Sequence, residues 1–187
     1  MVIFMKFLTK DDVKRVQQQS DYCNQYYTGR WDYLNELIEE IKKMDGVEKT
    51  LELGPFRTPL VVGGDVMDVE KSNLDFYPIK IGKFFHRDGS NLPYPIEDNY
   101  YDLIIASQVL EHLGIYGEQK NVFEEFKRIS KKAIISLPYK WFAPDERDHH
   151  MIDEKVIRHW TNNYKPSFEV IKGVGDRKRI ISVYDFE

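Results

Sequence analysis

The chain has 187 residues, 42% hydrophobic and 31% charged, which are the proportions of one globular domain built on a single core. Its net charge is −4 and its basic residues fall in short clusters such as Lys131-Lys132 and Arg177-Lys178-Arg179, so nucleic acid is not expected as a dominant partner. No stretch approaches the roughly 18 apolar residues of a membrane-spanning helix, and Cys23, the only cysteine, excludes an intrachain disulfide and a multi-cysteine zinc site.

The apolar opening from Met1 to Leu8 is short, is broken by Lys6 and lacks a small-residue cleavage site, so no signal peptide is expected and a cytoplasmic location is. Thr9-Lys10-Asp11-Asp12 has capping-box spacing and predicts a helix start. Farther on, Trp31, Leu34, Leu37, Ile38, Ile41 and Met44 recur every three or four residues, placing Glu36, Glu39, Glu40, Lys42 and Lys43 on the wet side of a second helix that Asp45-Gly46 ends. Tyr22, Tyr26, Tyr27, Arg30 and Trp31 form an aromatic and basic stripe. Such a stripe either packs on the core or faces an aromatic or anionic ligand.

From Lys49 the pattern changes to short β-type runs: Thr50–Leu53, Asp65–Val69, Phe84–Arg87, Tyr101–Ala106 and Ala133–Leu137. Val122, Phe123, Phe126 and Ile129 have helical spacing between the fourth and fifth of them, and this alternation predicts a parallel sheet with crossover helices. Leu103-Ile104-Ile105-Ala106 and Ala133-Ile134-Ile135 are continuously apolar, as in strands covered on both faces. Only ten residues separate Gly54 from Asp65, which requires a shortened first helix, and the compact stretch from Val69 to Lys83, with Pro78, leaves room for a short second crossover helix or none. Asp153–Tyr164 can form one more helix. Phe168–Lys172 and Lys178–Tyr184 then flank Gly173-Val174-Gly175-Asp176, a hairpin signal. The expectation is a single α/β domain with a Rossmann-like, doubly wound, mostly parallel sheet and an antiparallel C-terminal hairpin strand. Residues 1–46 are a helical N-terminal extension and 47–187 the α/β core.

In such sheets ligands bind beyond the carboxyl ends of the strands, where chain order reverses. Glu52-Leu53-Gly54-Pro55 follows the first strand, and Asp68, fourteen residues past Gly54, ends the second, where a carboxylate can accept from both hydroxyls of a ribose or simply cap the next turn. The pair points to an adenosine-containing cofactor. A nicotinamide dehydrogenase would require Gly-x-Gly-x-x-Gly after the first strand, which the sequence lacks.

The succession Leu51-Glu52-Leu53-Gly54-Pro55, then Asp68, then Arg87 to Tyr94, then Tyr101 to Leu113 resembles the class I S-adenosylmethionine-dependent methyltransferases, over residues from about 49 to 185. The last block is the most specific, since Tyr101 to His112 follows the F-D-x-V-x-x-x-x-V-L-E-H wording of the small-molecule branch. The resemblance implies S-adenosylmethionine as cofactor and S-adenosylhomocysteine as product. It sets Glu52, Gly54 and Pro55 around the methionine part, Asp68 on the ribose, Asp88 facing the adenine amino group beside Gly89 and Ser90, and Ser107 and Gln108 on the methyl side. One departure is plain: the usual Gly-x-Gly-x-Gly is replaced by Gly54-Pro55-Phe56-Arg57, and a bulky residue with positive φ is costly.

Methyl transfer from a sulfonium needs alignment, and a base only where the acceptor must lose a proton. Candidate bases are Glu111 and His112 after the fourth strand and His149 and His150 after the fifth, although Glu-His at a helix start also packs locally. Adjacent histidines on a loop point different ways and Asp148-His149-His150 has no partner at metal-binding spacing, so no metal site is expected. The expected activity is methyl transfer to a small-molecule acceptor; the alternative is a catalytically silent methyltransferase-like module that binds a partner protein.

Overall fold

The computed structural model describes residues 5–113, 117–145, 149–173 and 177–187. Three helices come first: α1 (Lys10–Gln17), α2 (Asp21–Tyr27) and α3 (Trp31–Lys42). Thr9 Oγ1 accepts from the Asp12 backbone N at 3.2 Å while Asp12 Oδ2 accepts from the Thr9 N at 2.8 Å, which is the reciprocal capping box the sequence predicts. Ser20 caps α2 with a single bond, its hydroxyl oxygen accepting from the Cys23 N at 3.1 Å. The second predicted helix is α3, with Leu34, Leu37, Ile38 and Ile41 buried on its inner face.

The core continues as β1 (Thr50–Leu53), β2 (Asp65–Asp68), β3 (Phe84–His86), β4 (Tyr101–Ser107), α4 (Gln119–Ile129), β5 (Ser130–Pro138), α5 (Glu154–Trp160), β6 (Phe168–Lys172) and β7 (Arg179–Asp185). These strands form one seven-stranded sheet in the order β3-β2-β1-β4-β5-β7-β6, parallel from β3 to β5 and antiparallel at β7 and β6. The C-terminal hairpin is therefore present, although the turn at 174–176 lies outside the described residues. Chain order reverses between β1 and β4, which makes their carboxyl ends the switch point.

Strand β4 shows why its sequence is apolar without alternation. Ile104 and Ala106 pack into a cluster with α4 and α5, while Leu103 and Ile105 pack on the other face with α1, α2 and α3. Burial on both sides requires an apolar residue at every position. One expectation needs correcting: the connection from Gly54 to Asp65 holds no helix at all, only turns. Pro55 and Pro59 deprive so short a segment of helical hydrogen bonds, and it is tied instead to the N-terminus, Leu8 N donating to Leu60 O and Val62 N to Lys6 O, both at 2.9 Å. A 3-10 turn, Lys71–Phe76, is all that stands between β2 and β3. The N-terminal helices thus cover the sheet face that these crossovers leave bare. Among the described residues no helix is long and apolar enough to cross a membrane.

Candidate active site

Four strand exits converge at the switch point. After β1, Gly54 has φ +53°, and a β-carbon there would stand 2.6 Å from Val109 Cγ2 beside the β4 exit. Only glycine tolerates both the conformation and the approach. Two residues later Phe56 itself adopts φ 54°, a left-handed conformation that costs a side-chain-bearing residue about 1–2 kcal/mol. Its ring is held in an aromatic cluster, with centroids 5.1 Å from Tyr26, 6.1 Å from Tyr22 and 6.2 Å from Tyr27. The stripe of the N-terminal extension therefore divides: Tyr27 is buried in the core, while Tyr22 and Tyr26 reach the cleft.

At the end of β2, Asp68 is 6% exposed and its Oδ1 accepts from the Glu70 N at 2.8 Å. Burial holds this carboxyl above its ordinary range. After β3, Asp88 Oδ1 accepts from the Ser90 backbone N at 2.8 Å and from its hydroxyl at 2.7 Å, while Gly89 O accepts from the Tyr94 hydroxyl at 2.6 Å. After β4, Gln108 has φ 56°; its Nε2 donates to Ser136 Oγ at 3.3 Å and its Oε1 accepts from Arg179 Nε at 3.1 Å. A single 3-10 turn, Leu110–His112, then presents His112 to the rim.

Together these exits enclose a cleft of about 370 Å³. Of the residues singled out in the sequence, Gly54, Asp68, Asp88, Gly89, Gln108 and His112 line it, as do Phe56, Tyr22 and Tyr26. Glu52, Pro55 and Ser107 sit instead beneath the loop, and Ser90 acts through Asp88. Glu52 accepts from the Leu60 N at 2.6 Å, and complete burial pushes its carboxyl up to about 8, so it braces the β1–β2 loop from inside the protein. Sequence reasoning did not single out Leu53, Met67, Glu70, Asn73, Val109 or Leu113, which supply the apolar and polar remainder of the wall. Met67 and Leu53 were legible in principle as inward positions at strand ends. A second cleft, of about 410 Å³, opens at the opposite end of the sheet beside Thr50, Gly64, Asp65 and Tyr101, away from the switch point.

At the rim, Glu111, His112 and His149 each bring one ligand-type atom within 4.8 Å of the others. His112 Nε2 and His149 Nε2 are 3.3 Å apart with their rings edge to face. This juxtaposition joins residues 37 positions apart, which no local spacing reveals. Asp148, the third member of the histidine run, lies outside the described residues. His150 is directed elsewhere: its Nδ1 accepts from the Ala143 N at 3.1 Å.

The donor set suits a nucleoside-containing cofactor. Carboxylates stand at the ends of β2 and β3, glycines where a ligand must approach backbone, and apolar side chains between them. The strand order and this cleft define an α/β protein of the methyltransferase type. Residues 63–133 match the family described as a methyltransferase domain. The fold is similar to that of N-methyltransferase NodS from Bradyrhizobium japonicum WM9 in complex with S-adenosyl-L-homocysteine, with a TM-score of 0.63 and 14% identity over 94% of this chain and 96% of that one. It is also similar to the PH0226 protein from Pyrococcus horikoshii OT3, with a TM-score of 0.61 and 18% identity over 95% and 99% of the two chains. A methyltransferase from Methanosarcina mazei matches with a TM-score of 0.57 and 11% identity over 78% and 95%. No curated protein matches the sequence. The segment that matches the methyltransferase-domain family thus lies within a chain whose fold as a whole is similar to that of S-adenosylmethionine-dependent methyltransferases.

Proposed function

We propose that the protein transfers the methyl group of S-adenosylmethionine to a small molecule. The observation that carries this reading is the cleft at the switch point, walled by Gly54, Asp68, Asp88, Gly89 and Gln108. In it Asp68 accepts from the ribose hydroxyls and Asp88 faces the adenine, with Gly89 giving room beside the ring. Gly54 and Gln108 flank the methionine part, and Glu52, Pro55, Ser90 and Ser107 hold the loops that form the walls. The bound sulfonium supplies a leaving group that is already activated, so the protein's own contribution is alignment of the acceptor and exclusion of water.

Where the acceptor carries a proton that must leave, the His112–His149 pair at the rim takes it. With the two Nε2 atoms 3.3 Å apart, one ring donates its N–H and the other accepts, and the accepting nitrogen is the one turned to the methyl acceptor when the pair opens. Glu111, buried next to them, orients the pair, and His150 fixes the preceding loop. NodS, similar in fold, is an N-methyltransferase by name, which places amines among the acceptors to be tried.

The test is release of S-adenosylhomocysteine from S-adenosylmethionine across a panel of hydroxyl, amine and carbon-acid small molecules, read against the acceptor-free rate. At least one small molecule should raise that rate. Stimulation only by added proteins or nucleic acids would overturn the small-molecule reading.

A further inference from the structure

Beside the cofactor cleft lies a larger cavity, of about 640 Å³, between the α2–α3 junction and the β6–β7 hairpin. Three arginines face it: Arg30 from the junction, Arg177 from the segment just before β7, and Arg179 at the start of β7. Aromatic rings separate them. Arg30 Nη1 donates to the Tyr33 hydroxyl at 3.3 Å, and the Arg179 guanidinium lies 4.3 Å from the Tyr33 ring centroid. Trp141 stands between the other pair, 5.2 Å from Arg179 and 4.7 Å from Arg177. The result is a ladder of cation and ring: Arg30, Tyr33, Arg179, Trp141, Arg177.

Among the described residues no carboxylate completes this ladder. None of the three arginines is ion-paired there, whereas Lys172 at the cavity's edge is already engaged by Glu36 at 3.1 Å. Asp32 lines the cavity but is an exposed rim residue. Donors are left over: the Arg30 and Arg179 Nη2 groups and the whole Arg177 guanidinium have no protein acceptor among the described residues. Burial of Arg179, with the charges of Arg30 and Arg177 nearby, pushes its guanidinium below its ordinary value. Like charges gathered in a partly desolvated cavity are unfavourable unless an anion joins them, and guanidinium forks match oxyanions in geometry.

Two residues join this cavity to the cofactor cleft. Tyr26 lines both, and Arg179 Nε holds Gln108 Oε1 at the β4 exit. Resting on the methyl-transfer reading above, we propose that this cavity binds the methyl acceptor by an oxyanion group, a carboxylate or a phosphate, clamped by Arg30, Arg177 and Arg179 with the remainder of the acceptor directed past Tyr26 toward the cofactor. Trp141 and Tyr33 offer faces against which a flat acceptor stacks.

The experiment is a titration of the full chain, saturated with S-adenosylhomocysteine, with two probes: inorganic phosphate and benzoate. Arginine Nε–H and tryptophan indole N–H resonances are followed by NMR. Saturable shifts of the Arg30, Arg179 and Trp141 signals with either probe support the proposal, and the stronger probe names the oxyanion. In Arg177→Gln, at an exposed position, the same probe should bind about tenfold more weakly while cofactor affinity stays unchanged; Arg30→Gln adds a second loss. Absence of saturable shifts with both probes, or identical affinity in the variants, overturns it. S-adenosylhomocysteine binding is measured in the same samples, so a protein that binds the cofactor product but neither anion defeats this proposal alone, whereas failure to bind the product defeats the methyl-transfer reading beneath it.

Discussion

Phe56 tests the link between backbone strain and the cofactor loop. Its φ of 54° is the region glycine occupies at no steric cost, yet a phenylalanine stands there. Two substitutions separate the ring from the backbone. Phe56→Ala removes the contacts with Tyr22, Tyr26 and Tyr27 and keeps the strained conformation, while Phe56→Gly removes the same contacts and relieves the strain. Aromatic pairs contribute about 0.5–1.5 kcal/mol each beyond burial, so losing a half-buried ring with three partners costs about 3 kcal/mol in the alanine variant. Glycine recovers about 1–2 kcal/mol of strain and returns part of it, about 0.4–1 kcal/mol, as unfolded-chain entropy. It should therefore end about 0.5–1 kcal/mol more stable than alanine, reversing the order found at ordinary positions. Urea unfolding reads this directly: with a slope of about 2 kcal/mol per molar, the glycine midpoint should lie about 0.3–0.5 M above the alanine midpoint, and both below the parent. An alanine variant as stable as glycine refutes the strain, and a glycine variant above the parent refutes the packing. Because the ring also lines the cleft, both variants should lose affinity for S-adenosylmethionine; retained or improved affinity in the glycine variant would show that the ring merely crowds the loop.

Asp68→Ala should weaken S-adenosylmethionine binding by about 1–3 kcal/mol, the cost of deleting a charged hydrogen-bond partner, and leave the circular dichroism of the fold intact; unchanged affinity by calorimetry removes Asp68 from the site. Glu52, held near 8 when folded against an ordinary value of 4.5, binds its proton more tightly in the folded state, so the stability this supplies is full below about pH 4.5 and is lost as pH rises through 8. Glu52→Gln cannot ionise but keeps an acceptor for the Leu60 N; it should gain on the parent by about 1.4 kcal/mol per pH unit across that window, and urea midpoints at pH 5 and 8 that differ equally in both proteins would refute this. His149→Ala should lower turnover more than it changes cofactor affinity, and activity should survive EDTA, since proton transfer by the His112–His149 pair uses no ion. Loss on chelation with recovery in zinc would instead make Glu111, His112 and His149 a metal centre.

The features legible in the sequence are those that depend on local spacing. Thr9 and Asp12 announced a cap because a capping box is closed within four residues. The run Leu103-Ile104-Ile105-Ala106 announced a central strand because burial on both faces leaves no polar position. The cleft residues Gly54, Asp68, Asp88 and Gln108 were legible because each stands at or just past a strand end, and topology brings strand ends together. Features that require two distant segments were not. His112 meets His149 only across the β4 and β5 exits, and Arg30 meets Arg179 only once α3 packs near β7. Arg177-Lys178-Arg179 read as one more scattered basic cluster, because only the fold brings Arg177 and Arg179 to the same cavity as Arg30. Glu52 is a further case that local spacing does not reveal, since the carboxylate of the motif is buried and accepts from the Leu60 N eight residues on.

The most direct measurement is calorimetric titration of the purified protein with S-adenosylmethionine and S-adenosylhomocysteine, with NAD as the control. A class I methyltransferase site predicts saturable one-to-one binding of the first two in the micromolar range, and none of NAD. Failure of both to bind, or a preference for NAD, would contradict it.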